Sequence, residues 1–185
     1  MSYRPPFIDP AAITIDPPHP ATIEVETLLE QCDLELGKRR GPGGQHRAAV
    51  ASGVHLLHRP TGIEAQATER RSPAVNQSRA VRRLRLRLAV KVRTIPVRSN
   101  FAPSELWQRR RQGTRIAVNP DHADYPALLA EALDLVVVRR WDLAGAAGLL
   151  GVTMSQLSRL IRQHPAAFAK VNEGRVSVGL SRLRS

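Results

Sequence analysis

At 185 residues, 42% of them apolar, the chain is sized for one or two small domains, and it holds no apolar run of about 18 residues that would cross a membrane. Its net charge of +12 is concentrated: residues 1–37 carry −6, residues 38–115 carry +16 and residues 116–185 carry +2. Such a density, supplied mostly by arginine, is costly by self-repulsion unless the working partner is a polyanion.

In chain order, residues 1–21 are proline-rich and weakly patterned, and read as a flexible, extended arm. The opening MSYRPPFIDP lacks the charged-then-apolar layout of a secretory signal, so the cytoplasm is the expected location. The spacing of Ile23, Val25, Leu28 and Leu29 predicts a short helix to about Gln31, and residues 33–38 alternate like a strand. Cys32 is the lone cysteine; it reads as a buried small hydrophobe, fits a reducing compartment and excludes a cysteine-based zinc site. The six histidines, at 19, 46, 55, 58, 122 and 164, show no ligand spacing, so no metal is expected.

The strand runs into RRGPGGQ at 39–45, where two consecutive glycines leave the backbone bare up to Gln45 and Pro42 stiffens the approach. Residues 47–52 are alanine-rich and suit one or two helical turns, which Gly53 ends. Residues 54–57 and 63–68 read as two strands joined by a hairpin that Pro60 and Gly62 punctuate. Residues 72–93 are ambiguous, because LRLRL at 84–88 has a strand's period. The length and the series Val81, Leu84, Leu88 favour a helix, whose arginines at 79, 82, 83, 85 and 87 are expected to meet nucleic acid. Charge reversal at Arg82, Arg83 and Arg87 is then expected to weaken that binding without unfolding the domain.

GPGGQH at 41–46, HRPTGI at 58–63 and ERRS at 69–72 with Asn76 resemble the catalytic GGQ domain of class I peptide chain release factors and of the smaller ribosome-rescue factors that share it. The resemblance covers about residues 30–93 and implies hydrolysis of the peptidyl-tRNA ester in the large ribosomal subunit. It implies as catalytic residues Gly43 and Gly44, which permit the backbone geometry, and Gln45, whose main-chain N–H stabilises the developing oxyanion and whose side chain sits near the water. One such donor is worth roughly 10²–10³ in rate. Arg39, Arg40, His46, Arg47, Arg71, Arg79, Arg82, Arg83 and Arg87 are the candidate RNA contacts. The implied partners are large-subunit rRNA, peptidyl-tRNA and a glutamine methyltransferase that N-methylates Gln45; no cofactor is expected, and no oligomeric state follows.

Where the family commonly has Asn and Lys after the glutamine, this chain has Ala48 and Ala49. That departure weakens positioning and leaves a slow or silent member as an alternative. Some 30 residues precede the module and show no codon-reading domain, so stop-codon recognition by this chain alone is not expected.

Residues 94–124 read as a connector with a short helix capped by Ser104, the Arg109, Arg110, Arg111 run and Trp107, read as covering apolar surface. From Tyr125 an apolar helix is expected to about Arg140, then an N-cap at Asp142 and two helices divided at Gly151. This pair resembles the helix-turn-helix of factor-for-inversion-type DNA-binding domains, with Leu157 and Leu160 inward and Ser155, Gln156, Ser158, Arg159 and Arg162 toward nucleic acid; a three-helix module used for packing or protein contact is the equal alternative. Pro165 reads as the end of the helix, followed by a short stretch and a basic tail.

The expected architecture is α+β: a GGQ domain over 22–93, with about three strands packed by a long basic helix, and an all-α helix-turn-helix-like unit over 125–185. The expected function is codon-independent peptidyl-tRNA hydrolysis on the ribosome. A helix-turn-helix regulator of nucleic acid and a silent ribosome-binding factor stand as alternatives.

Overall fold

The computed structural model describes residues 9–37, 52–94 and 101–184. In chain order they form β1 (Ile13–Ile15), α1 (Val25–Glu30), β2 (Cys32–Gly37), β3 (Gly53–His58), β4 (Ile63–Ala67), α2 (Pro73–Lys91), β5 (Val92–Thr94), α3 (Glu105–Arg110), β6 (Arg111–Gln112), β7 (Arg115–Ile116), α4 (Tyr125–Val138), α5 (Leu143–Leu150), α6 (Met154–Arg162) and α7 (Pro165–Ser177). The fold is mixed α and β. Residues 23–88 form one compact unit, and the described residues before and after them in sequence form the other. No helix among the described residues is long and apolar enough to cross a membrane.

The unit of residues 23–88 is an antiparallel sheet in the order β2-β3-β4, carrying α2. Period-two alternation sets its register: Val54 faces Ala67, Leu56 faces Ala65 and His58 faces Ile63, and all six are buried. Against that face α2 buries Ala80, Val81, Leu84 and Leu88, so the stripe read from the sequence is the core stripe and the helical reading of LRLRL holds. Each fully buried leucine contributes about 1.5–3 kcal/mol. The turn between β3 and β4 closes with the Thr61 and Gly62 N–H groups donating to the His58 carbonyl, and Gly62 takes φ 66°, a conformation that favours glycine. His58 is buried: its Nε2 meets Gln31 Oε1 at 3.1 Å and its Nδ1 meets Thr61 Oγ1 at 2.7 Å. Burial, with Arg59 adding to it, pushes its pKa below the ordinary histidine value. Cys32 is buried and free.

The other unit is built around α4, which is apolar on nearly every side and buried along most of its length. Its Tyr125 hydroxyl donates to the Leu160 carbonyl at 3.0 Å, and the indole N–H of the fully buried Trp107 donates to the Leu150 carbonyl at 2.9 Å. The caps read from sequence are in place: Ser104 accepts from the Trp107 N–H, Asp142 from Ala144 and Gly145, and Thr153 from Gln156. Gly151 ends α5 at φ 66°, which makes α5, the turn and α6 a helix-turn-helix.

Three expectations change here. The described part of the expected arm, residues 9–21, is seated in this unit: β1 pairs in parallel with β5, and Asp9 forms an ion pair with Lys170 at 2.9 Å. Pro165 does not merely end a helix; it starts α7 at N1, where its missing N–H costs nothing, and His164 caps the helix by accepting from Ala167. Gly174 of α7 lies flat on the buried Trp141 ring, where an added Cβ would come within 2.1 Å of a ring carbon. Ser158, expected to face nucleic acid, is buried at 8% exposure, because it falls on the side of α6 that carries Leu157 and Ile161.

A buried polar cluster ties β5 to α4. Asp134 accepts from the Thr94 N–H at 3.2 Å and lies 3.5 Å from the Arg93 guanidinium, which itself donates to the Ala89 carbonyl at 2.8 Å in the last turn of α2. His19 lies beside them, with Nε2 donating to the Val92 carbonyl at 3.2 Å and Nδ1 accepting from the Ala21 N–H at 3.0 Å. These bonds suit the neutral ring, and burial lowers its pKa to about 4. As pH falls from 6.5 toward 4 the unfolded chain takes up a proton that the folded chain refuses, so stability is lost across that window, by up to about 3 kcal/mol. Asp134 acts with the opposite sign: burial, outweighing the pull of Arg93, raises its pKa to about 6, so the folded state gains as pH falls from 6 toward 3.8. The difference in unfolding free energy between the wild type and His19→Gln isolates the histidine. It is expected to shrink by about 3 kcal/mol between pH 7 and pH 4 in urea denaturation, and a constant difference would contradict a neutral buried His19.

Candidate functional site

The catalytic candidates Gly43, Gly44 and Gln45 lie outside the described residues, as do Arg39, Arg40, His46, Arg47, Ala48, Ala49 and most of the expected helical turns at 47–52. What the structure defines is the stem from which this segment leaves and to which it returns. The last residue of β2, Gly37, pairs with the first of β3, Gly53, so the two ends of 38–52 are held side by side across one antiparallel ladder. Gly53 has little room: an added Cβ would meet Thr68 Cγ2 at 3.0 Å and the Gly37 carbonyl oxygen at 3.2 Å.

Asn76, in the first turns of α2, anchors the returning end. Its side chain is fully buried; Nδ2 donates to the Ser52 carbonyl and, at 2.8 Å, to the Arg70 carbonyl, while Oδ1 accepts from the Arg70 N–H at 3.0 Å. One side chain therefore satisfies three backbone groups and fixes Ser52, one residue before the stem closes. In the sequence Asn76 stands out only as part of a motif. A polar residue at the start of a helix with a loop before it is a signal for such a bridge, although the partner at 52 follows only from the fold.

The arginines of α2 divide in two. Arg71 is exposed and Arg79 half-buried, and neither makes a side-chain hydrogen bond or ion pair among the described residues; Arg82 is half-buried. Arg83 and Arg87 turn onto β4, the edge of the sheet. Arg83 donates to the Gln66 carbonyl at 2.7 Å and pairs with Glu69, and Arg87 donates to the Glu64 carbonyl. Alternate carbonyls along a strand edge are about 6.6 Å apart, and helix positions four apart rise by about 6 Å, so the two spacings match. These guanidinium groups cover an edge that would otherwise present free carbonyls. Glu69 answers with a pKa below the ordinary carboxylate value, chiefly through its bond from Arg83.

Charge reversal at Arg83 and Arg87 is therefore expected to cost stability as well as binding. The double change Arg83→Met and Arg87→Met is expected to lower the unfolding free energy by about 1–2 kcal/mol in urea denaturation, discounted for the exposure of both groups. An unchanged midpoint would show that the two bonds are not formed in solution.

A three-stranded antiparallel sheet under one long basic helix, with β2 and β3 paired at the ends of the glycine-rich segment 38–52, defines a small module. The RF-1 domain family matches residues 21–116, and the chain belongs to this family, the GGQ domain of class I peptide chain release factors. It is 38% identical over 71 residues to peptide chain release factor 1 of Caldicellulosiruptor saccharolyticus, covering 38% of this chain and 20% of that protein. It is 35% identical over 71 residues to the mitochondrial peptide chain release factor 1 of Bos taurus, covering 38% of this chain and 16% of that protein. It is 35% identical over 68 residues to the chloroplastic peptide chain release factor PrfB1 of Arabidopsis thaliana, covering 37% of this chain and 15% of that protein. The chain thus spans a fifth or less of the length of these relatives. No solved structure matches it.

Proposed function

We propose that this chain hydrolyses the ester of peptidyl-tRNA on the ribosome and does so without reading the codon in the A site. The observation that supports it is the stem: a segment with the sequence GPGGQ joins two paired glycines, Gly37 and Gly53, on a module of the RF-1 family, with Asn76 holding its return. Water attacks the ester carbonyl carbon and expels the 3′ hydroxyl of the tRNA, leaving a peptide carboxylate. The Gln45 main-chain N–H donates to the oxyanion of the tetrahedral intermediate, and the Gln45 side chain orients the water. Gly43 and Gly44 let that backbone approach. No side-chain nucleophile and no cofactor enters the reaction, and N-methylation of Gln45 by a methyltransferase would restrict its rotation. The partners are large-subunit rRNA and peptidyl-tRNA, reached through Arg39, Arg40, His46, Arg47, Arg71, Arg79 and Arg82, and the place of action is the cytoplasm.

A second reading, a ribosome-binding factor without release activity, is favoured by Ala48 and Ala49, which stand where the family's Asn and Lys would settle the loop on RNA. Release codon by codon tests the proposal. Ribosomal complexes with an empty A site, a sense codon or a stop codon are expected to yield peptide at similar rates. Release confined to stop-codon complexes would overturn codon independence, and binding without release would leave the second reading standing.

A further inference from the structure

The hairpin of β6 and β7 is not a plain connector. Gln112 faces Arg115 across it, and Gly113 at φ 58° makes its turn. The hairpin is fastened to the start of α6: the Thr153 N–H donates to the Thr114 carbonyl at 3.1 Å, and Arg111 donates to both the Gly113 carbonyl at 3.1 Å and the Gly151 carbonyl at 3.2 Å. Beyond β7 the chain runs beside α6, and Asn119, Gln156, Arg159 and Gln163 line a groove of about 280 Å³ between them. Hairpin and helix thus make one surface, on which Arg111, Arg115, Arg159 and Arg162 are all exposed.

Its charge is of one sign. No acidic residue occurs between Glu105 and Asp121, nor between Asp142 and Glu173, so neither the hairpin and the strand that leaves it nor α5, the turn and α6 carry a carboxylate. Arg115, Arg159 and Arg162 make no ion pair among the described residues. The net +2 of residues 116–185 understates this face, because the hairpin brings Arg111 and Arg115 from before that segment.

We propose that this surface docks on the phosphate backbone of duplex RNA, with Arg115, Arg159 and Arg162 as phosphate contacts and Arg111 holding the hairpin against the turn. The charge complementarity selects a polyanion; the choice of RNA over DNA rests on the release-factor reading. The surface is backbone-directed, since in the first turn of α6 Ser155 is the exposed polar side chain and Gln156 is half-buried.

Fluorescence anisotropy of the full chain with a labelled RNA hairpin, over a salt series, tests it. The triple variant Arg115→Glu, Arg159→Glu, Arg162→Glu is expected to bind at least about tenfold more weakly at 0.1 M salt, with the slope of log K against log salt reduced by about two to three. The triple Gln variant, checked for an unchanged melting temperature, is expected to show the same slope change with a smaller loss. Unchanged affinity and slope in both variants would overturn the surface, and a DNA duplex of the same sequence bound more tightly than the RNA would overturn the choice of RNA. Because the probe is RNA alone, with no ribosome and no peptidyl-tRNA, a failure of the hydrolase reading leaves this result intact, and a failure here leaves release untouched.

Discussion

Gly44→Ala is expected to lower peptide release by about 10²–10³-fold while leaving ribosome affinity within about twofold of the wild type. In the proposed chemistry the only group that meets the oxyanion is the main-chain N–H of Gln45, and the residue before it governs where that N–H points. A Cβ at 44 restricts the backbone conformations open to that peptide. Gln45→Ala keeps the N–H and removes only the side chain near the water, so it is expected to reduce release without abolishing it. Rates from single-turnover release, with affinity measured separately, distinguish the two. Equal losses in the two variants would assign the catalysis to the side chain instead.

Asn76→Ala is expected to cost about 3 kcal/mol of unfolding free energy. The change strands the Ser52 and Arg70 carbonyls and the Arg70 N–H, and Asn76 lies at 0% exposure, where water does not replace it. Asn76→Asp retains the bond from the Arg70 N–H and loses both donated bonds, so most of the loss is expected there too. Because Ser52 adjoins the stem at Gly53, release should fall in Asn76→Ala even at temperatures where the protein is folded. Urea denaturation gives the first quantity and single-turnover release the second. A stable variant with normal release would show that the return of the loop is held by other groups.

Much of the first unit was legible in the sequence because its elements repeat a simple pattern. Val54, Leu56, Ile63, Ala65 and Ala67 alternate, and Val81, Leu84 and Leu88 recur at helical spacing, so burial follows directly from periodicity. The caps at Ser104, Asp142 and Thr153 were legible for the same reason, since each is a local hydrogen bond. What escaped was non-local or double-valued. β1 is only three residues long and its partner β5 lies far along the chain, a pairing that no local pattern announces. Pro165 carries both a stop and a start signal, and the start wins because His164 caps it and an alanine-rich run follows. Arg83 and Arg87 looked like free cations on a basic helix, and only the position of β4 at the sheet edge gives them carbonyl partners. At the candidate site, the motif placed Gly43, Gly44 and Gln45 between two strands, whereas the grip of Asn76 on Ser52 needed the fold.

The central claim is tested most directly by single-turnover release from ribosomes carrying peptidyl-tRNA in the P site and an empty A site. The purified full chain is expected to free the peptide well above the ribosome-only rate, and the Gly44→Ala protein, bound to the same complexes, is expected to stay near that background. No release by the wild type at any concentration that saturates binding would contradict the account.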